Sequence, residues 1–400
     1  MKPRILQLVD SFDEGGSERQ ALELTRLLHG SGKYELYLAS LKADGVLRSS
    51  IAGLNLGEVS SYPLKRFYDR NAVIQLRRFV HHLRSSRIDV LHTHDFYTNI
   101  FGMTAGFLAG VTVRIASCRE TGGMRSAAQQ QAQKLAYILA HHVVANSESV
   151  RRKLIEQQVN SKCISVIHNG LNLERVKVST DLSREETLKR LGVRNGSIVS
   201  DGFPKHWVTI VANMRHEVKD YPTFLRAAQR VSQAIPDVGF LLAGEGELQD
   251  SIRQLAAQLK ITRNTFLLGR CENIAQLLNA SDVCVLSSKA EGFSNSILEY
   301  MAAGRPVVAT DVGGAGEVIR ESETGYMVPS GNDELMAERI VSLLRDPAKA
   351  RLMGEHGRRI VEDRFSSRAL LQNTEVLYEK LLAGKPASKS DKLELVEHTG

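Results

Sequence analysis

Residues 282–314 read DVCVLSSKAEGFSNSILEYMAAGRPVVATDVGG. Two short β-branched runs, DVCVLSS and RPVVATD, enclose a glycine-containing turn and a helical stretch, so the segment predicts strand, helix, strand. Two carboxylates mark it: Glu291 in the turn and Glu299 on the helix, eight residues apart. Ser296 and Glu299 also fit a capping box, in which the glutamate only satisfies a backbone amide at the helix start.

The same rhythm runs through the chain. RILQLV, YELYLASL, DVLHTH, VRIAS, HHVVAN and CISVIH alternate with helical patterns, and the alternation restarts after residue 205 with WVTIVANM, VGFLLAGEG, NTFLLG, DVCVLSS and RPVVATD. Repeated strand and helix is the signature of a parallel sheet covered on both faces. Its restart predicts two doubly wound α/β domains, at 1–180 and 200–365. The polar, Gly- and Pro-broken stretch 174–205 between them reads as a linker with a helix near 183–191. A helix over 368–382 follows, and the low-complexity end, 383–400, is expected to be disordered.

Four hundred residues suit two domains. There is no apolar run of membrane-spanning length and no charged-then-apolar leader, so a cytoplasmic location is expected. Cys118, Cys163, Cys271 and Cys284 are scattered without a C-x-x-C pair, which disfavours a disulfide framework or a zinc site. The net charge of +7 is uneven: residues 1–180 hold 24 Lys and Arg against 15 Asp and Glu, leaving 28 against 30 in the rest. An acidic partner for the first half is one reading and a merely soluble surface the other. No recognised nucleic-acid module accompanies the charge, so no nucleic-acid partner is expected.

Several short constellations could carry chemistry. SFDEGGSERQ follows the first strand, and Gly15 and Gly16 leave bare amides at a helix start suited to an anion; Ser17 and Gln20 form a second capping-box pattern. His92 and His94 in DVLHTHDF alternate on one strand, with one expected to face a cleft and the other to pack; a zinc hydrolase is the rival reading. Arg119 and Glu120 stand at a strand end beside Gly122 and Gly123, where open α/β sheets bind ligands. Arg215 and Lys219 follow the strand VTIVANM, and such a pair suits a diphosphate. LLAGEGELQ holds Gly244 and Gly246 but no third glycine, so it is an incomplete dinucleotide fingerprint. The chain has no D-x-D, so nothing argues for a bound metal.

An eight-residue run of turn and helix places Glu291 and Glu299 on the order of 10 to 15 Å apart. That exceeds the roughly 5 to 9.5 Å between the paired carboxylates of glycosidases. It fits hydroxyl-rich groups flanking a diphosphate: carboxylates accept from hydroxyls, and cations and helix-start amides hold phosphates. A nucleotide-sugar has that shape.

The stretch resembles the Glu-x7-Glu signature of the family 4 retaining glycosyltransferases, which have the GT-B fold of two Rossmann-like domains facing a central cleft. GGSERQ, HTHD, VVANSES, IHNGLN, VANMRHEVKD, LLAGEGEL and GYMVPSGN match in the family's order from about residue 3 to 380. The resemblance implies that Glu291 holds the donor sugar's hydroxyls and Glu299 the ribose. Gly292, Phe293, Ser294 and Asn295 would meet the diphosphate with Arg215 and Lys219, while Gly15 and Gly16 approach from the other domain. The backbone from Gly269 to Cys271 would face the base, and the last helix, 366–382, would cross back to the first domain. The first domain would bind a glycan or lipid-linked acceptor, and the second the nucleotide-sugar donor, in polysaccharide or lipopolysaccharide assembly. Retention without a metal or other cofactor is implied, with Arg215 and Lys219 stabilising the leaving group.

One departure stands out. Many members carry a histidine after the strand VRIAS, where this chain has Arg119, which cannot act as a base; Arg119 and His94 are the acceptor-side candidates. A nucleotide-sugar-binding protein without transfer activity is the alternative from another class. The basic helix NAVIQLRRFVHHLRSSR has an apolar side expected at Val73, Ile74, Phe79, Val80 and Leu83, with Arg77, Arg78, Arg84 and Arg87 adding charge. It either packs on its own sheet or attaches to an anionic membrane.

Overall fold

The computed structural model describes residues 1–13, 15–54, 56, 59–64, 66–67, 69–120, 125–177, 182–193 and 203–384. The Gly122–Gly123 pair and the tail from 385 expected to be disordered lie outside the described residues. The chain forms two compact units, one of Met1–Gly170 with the chain from Ser367 onward, the other of Leu171–Ser366.

In the first unit the strands are β1 (Arg4–Val9), β2 (Glu35–Ser40), β3 (Ser60–Ser61), β4 (Val90–Thr93), β5 (Val113–Cys118), β6 (His142–Ala145) and β7 (Ile164–Val166). Among the described residues they form one parallel sheet in the order β3-β2-β1-β4-β5-β6-β7. Helices α1 (Gly16–Ser31), α2 (Arg70–Ser85), α3 (Phe96–Ala109), α4 (Ala127–Leu139) and α5 (Glu148–Glu156) make the crossovers.

The second unit begins with α6 (Arg184–Arg190) and continues through β8 (His206–Val211), α7 (Tyr221–Ala234), β9 (Val238–Ala243), α8 (Gln249–Gln258), β10 (Thr265–Gly269) and α9 (Ile274–Ala280). It closes with β11 (Val283–Leu286), α10 (Asn295–Ala302), β12 (Val307–Thr310), α11 (Ala315–Val318), β13 (Gly325–Val328), α12 (Asp333–Arg345) and α13 (Pro347–Arg364). Its parallel sheet has the order β10-β9-β8-β11-β12-β13. Strands β9, β11 and β12 are buried at every position. That is why they read as continuous apolar runs: a parallel sheet covered on both faces has no solvent side to alternate toward.

Both sheets reverse their direction of growth, between β1 and β4 in the first and between β8 and β11 in the second. Such switch points leave a crevice at the strand C-termini, where open α/β sheets bind ligands. The loops after β1, β4, β8 and β11 therefore outrank the others as site-bearing segments.

The chain enters the second unit at Leu171 rather than in the expected linker. Burial is the reason: Leu171 and Val176 join the main core of that unit, and Leu188 and Val193 pack with Trp207 and Leu277. Helix α6 is thus a capped surface helix of the second unit, with Ser183 and Glu186 forming its capping box.

The final helix, α14 (Ser367–Ala383), packs on the first sheet, burying Leu370, Leu377 and Tyr378 against Ile5, Leu24, Leu28 and Val90. Beneath it lies a polar layer. Gln7 Nε2 donates to the Tyr378 hydroxyl at 2.9 Å, and that oxygen lies 2.7 Å from His92 Nδ1. Lys33 and Glu375 add an ion pair at 2.7 Å. Removing one member of a buried hydrogen-bonded set costs about 1–3 kcal/mol. Tyr378→Phe keeps the ring but strips the hydroxyl from Gln7 and His92, so urea unfolding is expected to show a loss in that range; an unchanged midpoint would show the layer to be dispensable.

Candidate functional site

The second unit's switch point brings two of the expected residues together. Lys219 ends the short 3-10 turn Glu217–Lys219 after β8, and Glu291 lies in the turn after β11. The Lys219 ammonium meets Glu291 Oε1 at 2.5 Å, with both side chains largely buried at 18% and 14% exposure. The Ser288 hydroxyl donates to the same oxygen at 2.7 Å. Ser287 Oγ donates to the Lys219 carbonyl at 2.9 Å, and the Lys289 amide to the Val218 carbonyl at 2.7 Å. The two loops are thus joined by backbone and side chain alike.

Glycines fix the surrounding loops at two places. Gly244 and Gly246 have φ of +152° and +151°, and a side chain on either would overlap the backbone of Ala212 or Met214. The pair left over as half a dinucleotide fingerprint therefore lets the β9 loop cross the β8 loop: Met214 donates its amide to Glu245, and Leu248 to Met214. Arg215 projects from that crossing, half exposed and 3.9 Å from Glu245. Gly269 accepts from the Gly244 amide at 2.8 Å, and Cys271 is partly buried two residues on, its thiol pKa raised by burial. At Gly313, φ is +59° and a Cβ would overlap the Glu291 carbonyl, while Gly314 donates to the Gly292 carbonyl at 2.9 Å.

Helix α10 starts two residues earlier than a capping box at Ser296 and Glu299 requires. Its N-cap is Ser294, whose hydroxyl accepts from the Ile297 amide. Ser296 Oγ instead donates to the Val211 carbonyl at 2.8 Å, and the Tyr300 hydroxyl accepts from the Val211 amide at 2.6 Å. Both bonds pin α10 to the end of β8. Glu299, buried, faces Arg175 at 3.7 Å. Gly292, Phe293 and Ser294 are buried and Asn295 partly so, with Phe293 packing on Phe365. Ser288 and Arg175 are site neighbours that sequence reasoning missed; the serine's place directly after a buried strand was the available signal.

In the first unit, Gly15 is the extended N-cap of α1, which begins at Gly16 with no side-chain cap. The second capping-box reading is therefore also overturned. Gln20 pairs instead with Gly170, donating to its carbonyl and accepting from its amide, both at 3.0 Å. A Cβ on Gly15 would overlap the Glu18 carboxylate, so the glycine admits that carboxylate to the helix start. Burial lifts the Glu18 pKa to about 7, with the negative charges of Asp95, Asp10 and Asp13 adding to it.

His92 and His94 are both buried, at 2% exposure, where one was expected to face a cleft. The polar layer under α14 accounts for this. His92 Nε2 lies 2.8 Å from Ser117 Oγ; His94 Nε2 meets Gln7 Oε1 at 2.5 Å, and its Nδ1 lies 3.5 Å from Arg119. Burial lowers the His92 pKa to about 3 and moves His94 the same way, so both rings are neutral hydrogen-bonding members of the core. With all four ring nitrogens engaged, the zinc reading loses its ligands. Arg119 donates to Asn169 at 2.8 Å, while its buried Nε has no partner among the described residues.

Two family models match in succession: "Glycosyltransferase Family 4" over residues 14–175 and "Glycosyl transferases group 1" over 205–346. The chain belongs to glycosyltransferase family 4. It is 30% identical over 240 residues to N-acetyl-alpha-D-glucosaminyl L-malate synthase of Bacillus anthracis, spanning 60% of this chain and only 60% of that protein's length. Capsular polysaccharide biosynthesis glycosyltransferase CapM of Staphylococcus aureus is 26% identical over 71% of this chain and 74% of its own. Among solved structures, Anabaena HepE in complex with UDP superposes with a TM-score of 0.81 at 21% identity, covering 95% of this chain and 100% of that one. S. aureus TarM gives 0.73 at 13% identity over 96% and 100%. These likenesses show the fold, GT-B, with two Rossmann-like domains.

The Glu18 carboxyl gives a pH signature. Its pKa of about 7 exceeds the ordinary 4.5, so its stabilising contribution is present below about pH 4.5 and lost as pH rises through about 7. Glu18→Gln removes that loss. The variant is expected to melt above the wild type at pH 8 and level with it near pH 4; equal melting at pH 8 would contradict the raised pKa.

Proposed function

We propose that the protein is a retaining glycosyltransferase, moving a sugar from a nucleotide-diphosphate sugar to a glycan or lipid-linked acceptor without a metal. The observation that carries this is the Lys219–Glu291 pair, a cation and a carboxylate joined at 2.5 Å where the second sheet reverses. Lys219 and Arg215 would meet the departing diphosphate, with the amides around Phe293, Ser294 and Asn295 at the start of α10. Glu291 would accept from the sugar hydroxyls and Glu299 from the ribose, and the Gly269–Cys271 backbone would face the base. Supporting this, HepE is solved with UDP-glucose, and an Escherichia coli relative, 25% identical, is named as a galactosyltransferase using UDP-Gal and a diphosphoundecaprenol acceptor.

In the proposed reaction the bond from the anomeric carbon to the phosphate oxygen breaks, and an acceptor hydroxyl bonds that carbon on the same face. Its proton passes to the departing phosphate. Charge grows on the diphosphate in the transition state, so cations already fixed beside it lower the barrier without reorganising. This gives Lys219 and Arg215 the work a divalent ion would otherwise do. The first unit would take the acceptor, with Arg119, placed by His94, on the acceptor side.

A peripheral site on the cytoplasmic face of an anionic membrane belongs to the same proposal. The apolar side expected of α2 divides: Phe79 and Leu83 are buried, whereas Val73 and Ile74 are about half exposed beside the exposed Arg77, Arg78 and Arg84. Arg84 donates to the Leu108 carbonyl at 2.6 Å, and Phe107 and Leu108 of α3 are exposed there too. Exposed apolar groups with arginines suit an anionic interface. No helix among the described residues is long and apolar enough to cross a membrane.

Screening nucleotide-sugars by thermal shift, then testing hits for transfer, is the direct approach, since a bound donor raises stability by mass action. With a donor in hand, Glu291→Gln is expected to lower turnover by about 10²-fold or more without loss of nucleotide affinity. Unchanged turnover would remove Glu291 from the site, and binding without transfer to any glycan or lipid acceptor would favour a binding protein. In sedimentation with phosphatidylglycerol vesicles, the wild type is expected to pellet and the double variant Val73→Glu, Ile74→Glu to stay in solution. Equal behaviour with phosphatidylcholine alone would remove the anionic requirement.

A further inference from the structure

Beside the turn that carries Lys219, the start of α7 and the helix α8 border a cavity of about 310 Å³. Tyr221, Leu248, Ile252 and Leu255 give it apolar walls. The Tyr221 hydroxyl is already engaged, donating to the Ala212 carbonyl at 2.5 Å. Charge comes from two carboxylates, Glu217 and Asp220, and one ammonium, Lys289, with His216 beside them. Glu217 is exposed, whereas Asp220 is buried at 4% exposure.

Asp220 is placed oddly for a residue at a helix start. It occupies the N-cap of α7 with φ of +47°, a conformation uncommon for any residue but glycine, and its carboxylate caps no amide. Oδ2 instead accepts from Thr223 Oγ1 at 2.7 Å. Among the described residues, the partner of Oδ1 is the Lys289 ammonium, 3.9 Å away and beyond hydrogen-bond reach, on a side chain 54% exposed. A buried carboxylate so loosely matched leaves room for a closer cation.

We propose that this cavity binds a small organic cation, an ammonium joined to an apolar body. The ammonium sits on Asp220 Oδ1 and displaces Lys289 toward solvent, while the body fills the space between Tyr221, Leu248, Ile252 and Leu255. At roughly the 30 Å³ that a molecule takes in liquid water, the cavity holds about ten non-hydrogen atoms. An organic anion of that size is disfavoured, since two carboxylates outweigh one ammonium. Occupancy also reaches the neighbouring pair: the Lys289 amide donates to the Val218 carbonyl at 2.7 Å, inside the turn that ends at Lys219. An occupant packed on that turn fixes it before a nucleotide arrives, so less freedom is lost on binding. This coupling rests on the donor-site reading above.

Calorimetry on the full-length protein with phenethylamine, which fits that size, and phenylacetate, its anionic counterpart, tests the site. The amine is expected to bind with the millimolar affinity of a fragment, and the anion not to bind. A charged hydrogen bond changes affinity by about tenfold, so Asp220→Asn, which tolerates the same backbone, is expected to weaken the amine by about that factor. Leu255→Trp fills the cavity and should abolish binding; Lys289→Ala removes the competing ammonium and should tighten it. With folding of each variant confirmed by circular dichroism, four results would each overturn the site: no amine binding, equal binding of the anion, amine affinity unchanged in both Asp220→Asn and Leu255→Trp, or weaker amine binding by Lys289→Ala. Saturating phenethylamine is further expected to tighten UDP or GDP, whichever the protein binds, by about fivefold, and to have no such effect in Asp220→Asn. An unchanged wild-type nucleotide affinity would overturn the coupling. Failure to bind either nucleotide would instead bring down the donor-site reading and the coupling with it, while the amine site stands or falls on its own binding.

Discussion

Lys219 and Glu291 are 72 residues apart in the chain and 2.5 Å apart in space because β8 and β11 are neighbours in a sheet that reverses between them. That reversal is the constraint on which the second unit's chemistry depends. It places the loop after β8 against the loop after β11, and the backbone bonds from Lys289 and Ser287 lock the two in register. An ion pair so little exposed needs such scaffolding, since charges taken from water must be held in good geometry to recover the cost. The glycines at 244, 246 and 313 serve the same end by letting adjacent loops approach backbone to backbone.

The first unit solves a different problem. Its equivalent reversal lies between β1 and β4, and the helix returned from the chain's end covers a layer of buried polar groups there. Tyr378, Gln7 and His94 form a continuous hydrogen-bonded path to Arg119, which is held on its other side by Asn169. Neutral histidines suit this layer because burial disfavours their charged form. Arg119 is thus oriented by His94, which directly follows β4.

Much of this was legible in the sequence, and the illegible parts share a cause. The continuous apolar strands and the restart at residue 205 gave away two parallel sheets, because double-sided burial writes itself into composition. The Glu291 turn and the Arg215–Lys219 loop were recognisable as strand-end loops. What sequence could not supply was competition between partners. Ser296-x-x-Glu299 and Ser17-x-x-Gln20 have capping-box spacing, yet Val211 and Gly170 claim Ser296 and Gln20 from across the fold. The histidines were misjudged for the same reason, since Tyr378 and Gln7 are remote in sequence. The unit border was displaced because a polar stretch hides Leu171, Val176 and Leu188, whose burial decides where the chain belongs.

The claim beneath all of this is that a preformed cation and carboxylate, rather than a metal or a covalent protein intermediate, carry a same-face sugar transfer. Proton NMR of the anomeric signal in the first-formed product, from a donor of known configuration and in excess EDTA, tests it most directly. Retained configuration at an undiminished rate is the expected result; inversion, or a rate abolished by EDTA and restored by a divalent ion, would contradict it.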